Sequence, residues 1–152
     1  MKVHVWIFAL ALVLGTKANA APTLYGNYYD ETTYVSCDSN IGCRASFSQT
    51  PPDKLIEITN VACYGNTSKQ LVLLMLGVAT TAGGFGLQRQ LPLQLPPPYA
   101  YNSLNIVLSI NQPVRFLVGP GRFPFIQFSA FESMTVTSGF CHIVGNIVAP
   151  IQ

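Results

Sequence analysis

Catalysis needs side chains that move protons, hold metals or attack a bond, and this chain offers few of them. His142 lies between Cys141 and Ile143, on a strand-like stretch whose face it shares with Phe140 and Val144. A nucleophile–base–orienter arrangement needs a base, but a histidine among apolar neighbours reads first as a packed or rim residue. No serine stands in a Gly-x-Ser-x-Gly elbow. Gly83-Gly84-Phe85-Gly86 lacks the lysine and following helix of a phosphate loop, and is expected to be a flexible loop. Six carboxylates remain: Asp30, Glu31, Asp38, Asp53, Glu57 and Glu132. A pair could hydrolyse a glycosidic bond at a defined separation, yet nothing places two of them across a cleft. Surface solvation is their expected role, with Glu57 facing away from Ile56 and Ile58. The oxygens of Asp38-Ser39-Asn40 suit a turn better than a calcium loop. No catalytic residue, metal or cofactor is expected.

Cys37, Cys43, Cys63 and Cys141 are the four cysteines. Four cysteines in an exported chain read as two disulfides with three possible connectivities. The local pair Cys37–Cys43 is favoured, because it leaves Cys63 and Cys141, each central in an apolar stretch, for each other. Zinc is the sharper alternative, but the spacings match no compact metal knuckle and His142 is a poor fourth ligand.

Tyrosines give the most usable binding signal. Tyr25, Tyr28, Tyr29 and Tyr34 crowd the start of the folded region, and Tyr99 and Tyr101 follow the proline run Pro96-Pro97-Pro98. Exposed tyrosines among Asn and Gln can stack on sugar rings while hydrogen-bonding hydroxyls. The plainer reading is that they pack the ends of the domain, and the lack of tryptophan beyond Trp6 argues against a strong sugar platform.

The first twenty residues stand apart. Lys2 precedes an apolar run at 5–14, and Ala18-Asn19-Ala20 forms a small-x-small site before Ala21. That is the layout of a signal peptide, and the run is shorter than the roughly twenty residues a spanning helix needs. Residues 21–152 are then one exported domain, periplasmic or extracellular, with no membrane span. Lys2 and Lys17 leave with the signal, so the eight basic residues fall to six against six acidic ones. Six scattered cations make nucleic acid an unfit partner. Few charges beside an apolar content of 49% imply a packed core and an exterior partly covered by something.

Strand signals recur throughout, without an amphipathic helix. Thr23–Tyr34 reads as a ragged first strand or an arm. At 55–63 Ile56 and Ile58 share one parity and Val61 and Cys63 the other, which predicts a bulge near Thr59-Asn60. Residues 64–68 read as a loop holding an Asn-x-Ser sequon at Asn66. A strand buried on both faces is expected at 71–79, an edge strand around Pro92 at 90–95, and a half-buried strand at 104–111. Gly119-Pro120-Gly121-Arg122 reads as a hairpin turn between 114–118 and 124–131, and the last strands break at Ser138-Gly139. About eight to ten short strands predict a disulfide-stapled antiparallel β-sandwich of Greek-key or jelly-roll type.

Ile58-Thr59-Asn60-Val61-Ala62-Cys63, followed late in the chain by Phe140-Cys141-His142-Ile143-Val144-Gly145, resembles small exported bacterial all-β proteins of unknown function. The resemblance covers the two ends of the domain, implies export and an all-β fold, and carries no site residues. The expected function is a non-catalytic binding module for a glycan or cell-envelope polymer. The alternative is an interaction subunit that binds another exported protein or forms a homo-oligomer, with edge strands such as 90–95 as the contact.

Overall fold

The computed structural model describes residues 21–39, 42–84, 86–97, 99–102 and 105–149; the segment read above as a signal peptide lies outside the described residues. Ten strands follow one another: β1 (Thr23–Tyr25), β2 (Tyr28–Ser39), β3 (Gly42–Ser46), β4 (Leu55–Thr67), β5 (Leu73–Ala79), β6 (Gly86–Pro92), β7 (Tyr99–Asn102), β8 (Asn105–Val118), β9 (Phe123–Ser129) and β10 (Val136–Val148). All pairings are antiparallel, in the order β6-β5-β9-β3-β2-β10-β4-β8-β7, with β1 also on β2. The result is one continuous sheet curled into a half-barrel.

Long β2 is what makes the sheet continuous. Its first half, to Tyr34, pairs with β10, and from Val35 onward it pairs with β3. One strand therefore serves both halves of the curl. Alternation then sorts its side chains: Tyr29, Glu31 and Thr33 point inward and are buried, while Tyr28 and Tyr34 point outward. Across the hollow they meet Ile56, Ile58, Val61 and Ile143 of one half and Phe47, Leu74, Leu76, Ile126 and Phe128 of the other, all buried.

The expected bulge is present. Pairing of β4 with both neighbours shifts between Ile58 and Asn60, so Ile56, Ile58, Val61 and Cys63 all reach the interior despite their parity change. Both favoured disulfides form, Cys37–Cys43 beside the β2–β3 connection and Cys63–Cys141 between directly paired residues of β4 and β10.

Several expectations are corrected. Residues 64–67 are not a loop, because β4 runs on to Thr67. Gly65 there lies opposite Gly139, and a Cβ on it would sit 2.8 Å from the Ser138 carbonyl oxygen. It marks a close approach of backbones rather than a turn. The stretches 104–111 and 114–118 are one strand, β8, beyond the undescribed residues 103–104. Pro113 fits because β7 covers β8 only as far as Val107, which leaves the rest an edge. Nor do 119–122 close a hairpin: β8 pairs with β4 and β7, whereas β9 pairs with β3 and β5, so the turn carries the chain from one half to the other. Buried Thr50 pins it, donating to Gly119 O at 2.8 Å and accepting from the Arg122 amide at 2.9 Å. The last strand is also unbroken, the irregularity near Ser138 being a register shift within β10.

The edge strand exists, three to four residues earlier than expected. β6 pairs with β5 on one side only and ends at Pro92, after which Leu93 turns into the core. From there 93–97 runs as a strap along β8, with the Gln94 amide donating to Gln112 Oε1 at 2.8 Å. The β5–β6 connection folds over the outer face of the sheet. Arg44 stacks 3.5 Å from the Phe125 ring centroid and donates to the carbonyls of Gly83 (3.2 Å) and Gly84 (2.7 Å). Gly84, expected in a flexible loop, is thus latched to the sheet.

Candidate functional site

The outer face of the β2–β10–β4–β8 half is where exposed aromatic side chains line up. Tyr34 of β2 pairs with Phe140 of β10, Phe140 with Tyr64 of β4, and Tyr64 with Ser109 of β8. Directly paired residues project to the same side, so the three rings stand abreast across three strands. Tyr34 is 78% exposed, Tyr64 47% and Phe140 43%. Tyr64 and Phe140 have ring centroids 6.0 Å apart, with planes inclined at 38°. Burial would normally claim such side chains; here they are held in water by strands whose opposite faces are locked into the core and by the Cys63–Cys141 bridge directly beneath.

Uncharged polar groups flank this row. On one side lie Thr32, His142, Ala62 and Asn111, in register across β2, β10, β4 and β8. Thr32 Oγ1 and His142 Nδ1 are 2.9 Å apart, which fixes the ring of the one described histidine against its neighbouring strand. On the other side Ser138 pairs with Asn66 and Asn66 with Val107. The Asn66 Nδ2 donates to Ser138 Oγ at 3.3 Å, so the sequon asparagine sits on a strand beside the aromatic row. No Lys, Arg, Asp or Glu stands among the residues of these three rows.

The tyrosines singled out in the sequence divide. Tyr25 and Tyr28 pair across the β1–β2 hairpin and are exposed on the same outer face as Tyr34. Tyr29 is removed from any ligand list, being only 1% exposed and pointing into the hollow. Tyr99 and Tyr101 belong to β7, where Tyr99 pairs with Val107, but their side chains lie outside the described residues. Tyr64 and Phe140 were missed as a pair. Their membership of one row depends on β10 lying between β2 and β4, which no local signal reveals.

Chemistry is sparse elsewhere too. Glu31, expected to be solvated at the surface, is 2% exposed and inward-facing. Its carboxyl accepts the Tyr29 hydroxyl at 2.6 Å and the Ser48 amide at 2.8 Å. Burial first, then the negative charge of Glu31, pushes the Tyr29 phenol well above its ordinary range. Glu57 points outward as expected and pairs with Arg115 at 2.6 Å. Glu132 is exposed, its carboxyl held below the usual range by Lys69. Asp38 has no described side chain. Among the described residues no three His, Cys, Asp or Glu side chains converge, and no helix is long and apolar enough to cross a membrane. The cleft under the strap, lined by Leu71, Leu95, Pro96 and Ile106, has a volume of only about 60 Å³. Ligand pockets run to roughly 300–1,000 Å³, so this one does not hold a small organic molecule.

Comparison with protein-family models, with curated proteins and with solved structures finds no match for this chain.

Proposed function

We propose that this chain is an exported, non-catalytic binding module for a glycan or cell-envelope polymer, with the Tyr34–Phe140–Tyr64 row as its contact surface. The observation that carries this reading is the row itself: three exposed rings abreast, bordered by hydroxyl and amide groups. Sugars present apolar ring faces and hydroxyl edges, and such a surface answers both. Export is supported by the two disulfides, which persist in oxidising compartments. With this goes the finer architectural reading, a stapled sandwich of Greek-key or jelly-roll type, supported by the way β2 hands the chain from one half to the facing one.

The test is binding of the oxidised chain from Ala21 onward to an array of glycans and cell-envelope polymers. A saturable hit that weakens in Tyr34→Ala and in Tyr64→Ala supports the reading. A clean blank sinks it. A second reading, an interaction subunit for another exported protein or for a homo-oligomer, is supported by the β6 edge, which is exposed over most of its length and carries Leu87, and by Phe131, 88% exposed in the β9–β10 connection.

A further inference from the structure

We infer that the ligand of the aromatic row is a single, uncharged polysaccharide chain, laid across the strands rather than along them. This rests on the binding-module reading and narrows it in three respects, each from a separate observation.

Length comes first. Neighbouring strands are about 4.8 Å apart, so the three rings cover roughly 10 Å measured across the sheet. One monosaccharide can rest on a single ring, and only a chain can use all three at once. Each added unit that finds a ring is tethered to those already bound, so affinity should climb with length and then level off.

Shape is the second respect. The Tyr64 and Phe140 ring planes are inclined at 38° to one another, in keeping with the twist of the strands that carry them. Rings tilted in this way suit a lone chain that can twist, and they fit poorly on the flat face of a crystalline polymer, where all rings must be coplanar.

Charge is the third. The aromatic row and the rows flanking it offer hydroxyls, amides and one imidazole, with no Lys or Arg among them. A polyanion such as teichoic acid or polyuronate would lose hydration there without gaining a cation. Binding of an uncharged chain is also insensitive to salt, since there are no counterions to release or charges to screen.

Affinity electrophoresis and calorimetry with the oxidised chain test this directly. The probes are soluble laminarin, mannan, galactomannan and xyloglucan, the polyanions alginate, polygalacturonate and teichoic acid, microcrystalline cellulose and chitin, and the oligosaccharides released from whichever soluble polymer retards the protein. The expected result is retardation by at least one neutral soluble polymer, unchanged between low and high salt, with affinity rising from disaccharide to tetrasaccharide. Phe140→Ala should weaken that binding about fivefold or more, as truncation of a central contact does, while His142→Ala weakens it less. Retention by the polyanions alone, by the crystalline solids alone, or equal affinity for a monosaccharide and the polymer overturns the inference while leaving the module reading standing. Retention by nothing overturns both.

Discussion

The Tyr29 hydroxyl donates to Glu31 Oε2 at 2.6 Å from two residues away on the inward face of β2, and neither side chain reaches solvent. Glu31 spends its other oxygen on the Ser48 amide, beyond the end of β3. The carboxyl therefore joins the strand shared by both halves to the segment leading into Thr50. Hydrogen bonds to a charged group contribute about 1.5–3 kcal/mol each. Tyr29→Phe should lower unfolding stability by about that much, and Glu31→Leu by more, because it orphans two donors. Chemical denaturation of both single variants and the double variant measures the coupling. Additive losses would mean the two side chains act independently.

Alkaline pH should expose the same pair. The folded protein holds the Tyr29 proton far more tightly than the unfolded chain does. Stability from this group is therefore complete below the ordinary phenol pKa of about 10 and is lost progressively as pH rises above it. Titration followed by tyrosinate absorbance should leave one phenol protonated until the protein unfolds. In Tyr29→Phe that delayed step should vanish. Its persistence would assign the delay to another tyrosine.

The two disulfides should contribute unequally. Cys63–Cys141 spans 78 residues of sequence and Cys37–Cys43 spans six. In the chain-entropy model these closures contribute about 4 and about 2 kcal/mol. Replacing each pair by alanines and comparing denaturant midpoints should show the larger loss for Cys63/Cys141. An inverted order would point to strain or denatured-state structure as the controlling effect.

The latch over Phe125 gives a local prediction. A Cβ on Gly77 would lie 2.5 Å from Phe125 Cζ, so Gly77→Ala must displace the ring on which Arg44 stacks. Overpacking of this kind costs about 1–3 kcal/mol. Arg44→Ala should open the turn at 80–84 to limited proteolysis while leaving the far half of the sheet protected from hydrogen exchange. Unchanged cleavage would mean that the turn holds itself in place.

What the sequence made legible was whatever a few neighbouring residues decide. The parity change between Ile58 and Val61 announces its own bulge, and an isolated close pair of cysteines leaves the distant pair to meet. The all-β character follows from recurring alternation in the same way. Global pairing is different. Tyr64-Gly65-Asn66-Thr67-Ser68 has the composition of a loop, yet all of it but Ser68 continues β4, because Gly65 is needed where the backbone of β10 passes closely. Glu31 looks like a surface acid until Tyr29 and Ser48 converge on it. The turn at 119–122 has hairpin chemistry, but its flanking strands belong to different neighbours. The binding row is of this second kind, since Tyr34, Tyr64 and Phe140 come from three distant parts of the chain.

That β10 lies between β2 and β4 also sets a timetable for the molecule's assembly. A polypeptide is made N-terminus first, so β2 and β4 emerge with an empty berth between them that only the final strand can occupy. Until then Cys63 is without its partner while Cys37 and Cys43 are already within reach. A wrong bridge formed in that interval would hold the berth shut. The order of two events, docking of β10 and oxidation of Cys63, therefore decides whether the native bridge can close.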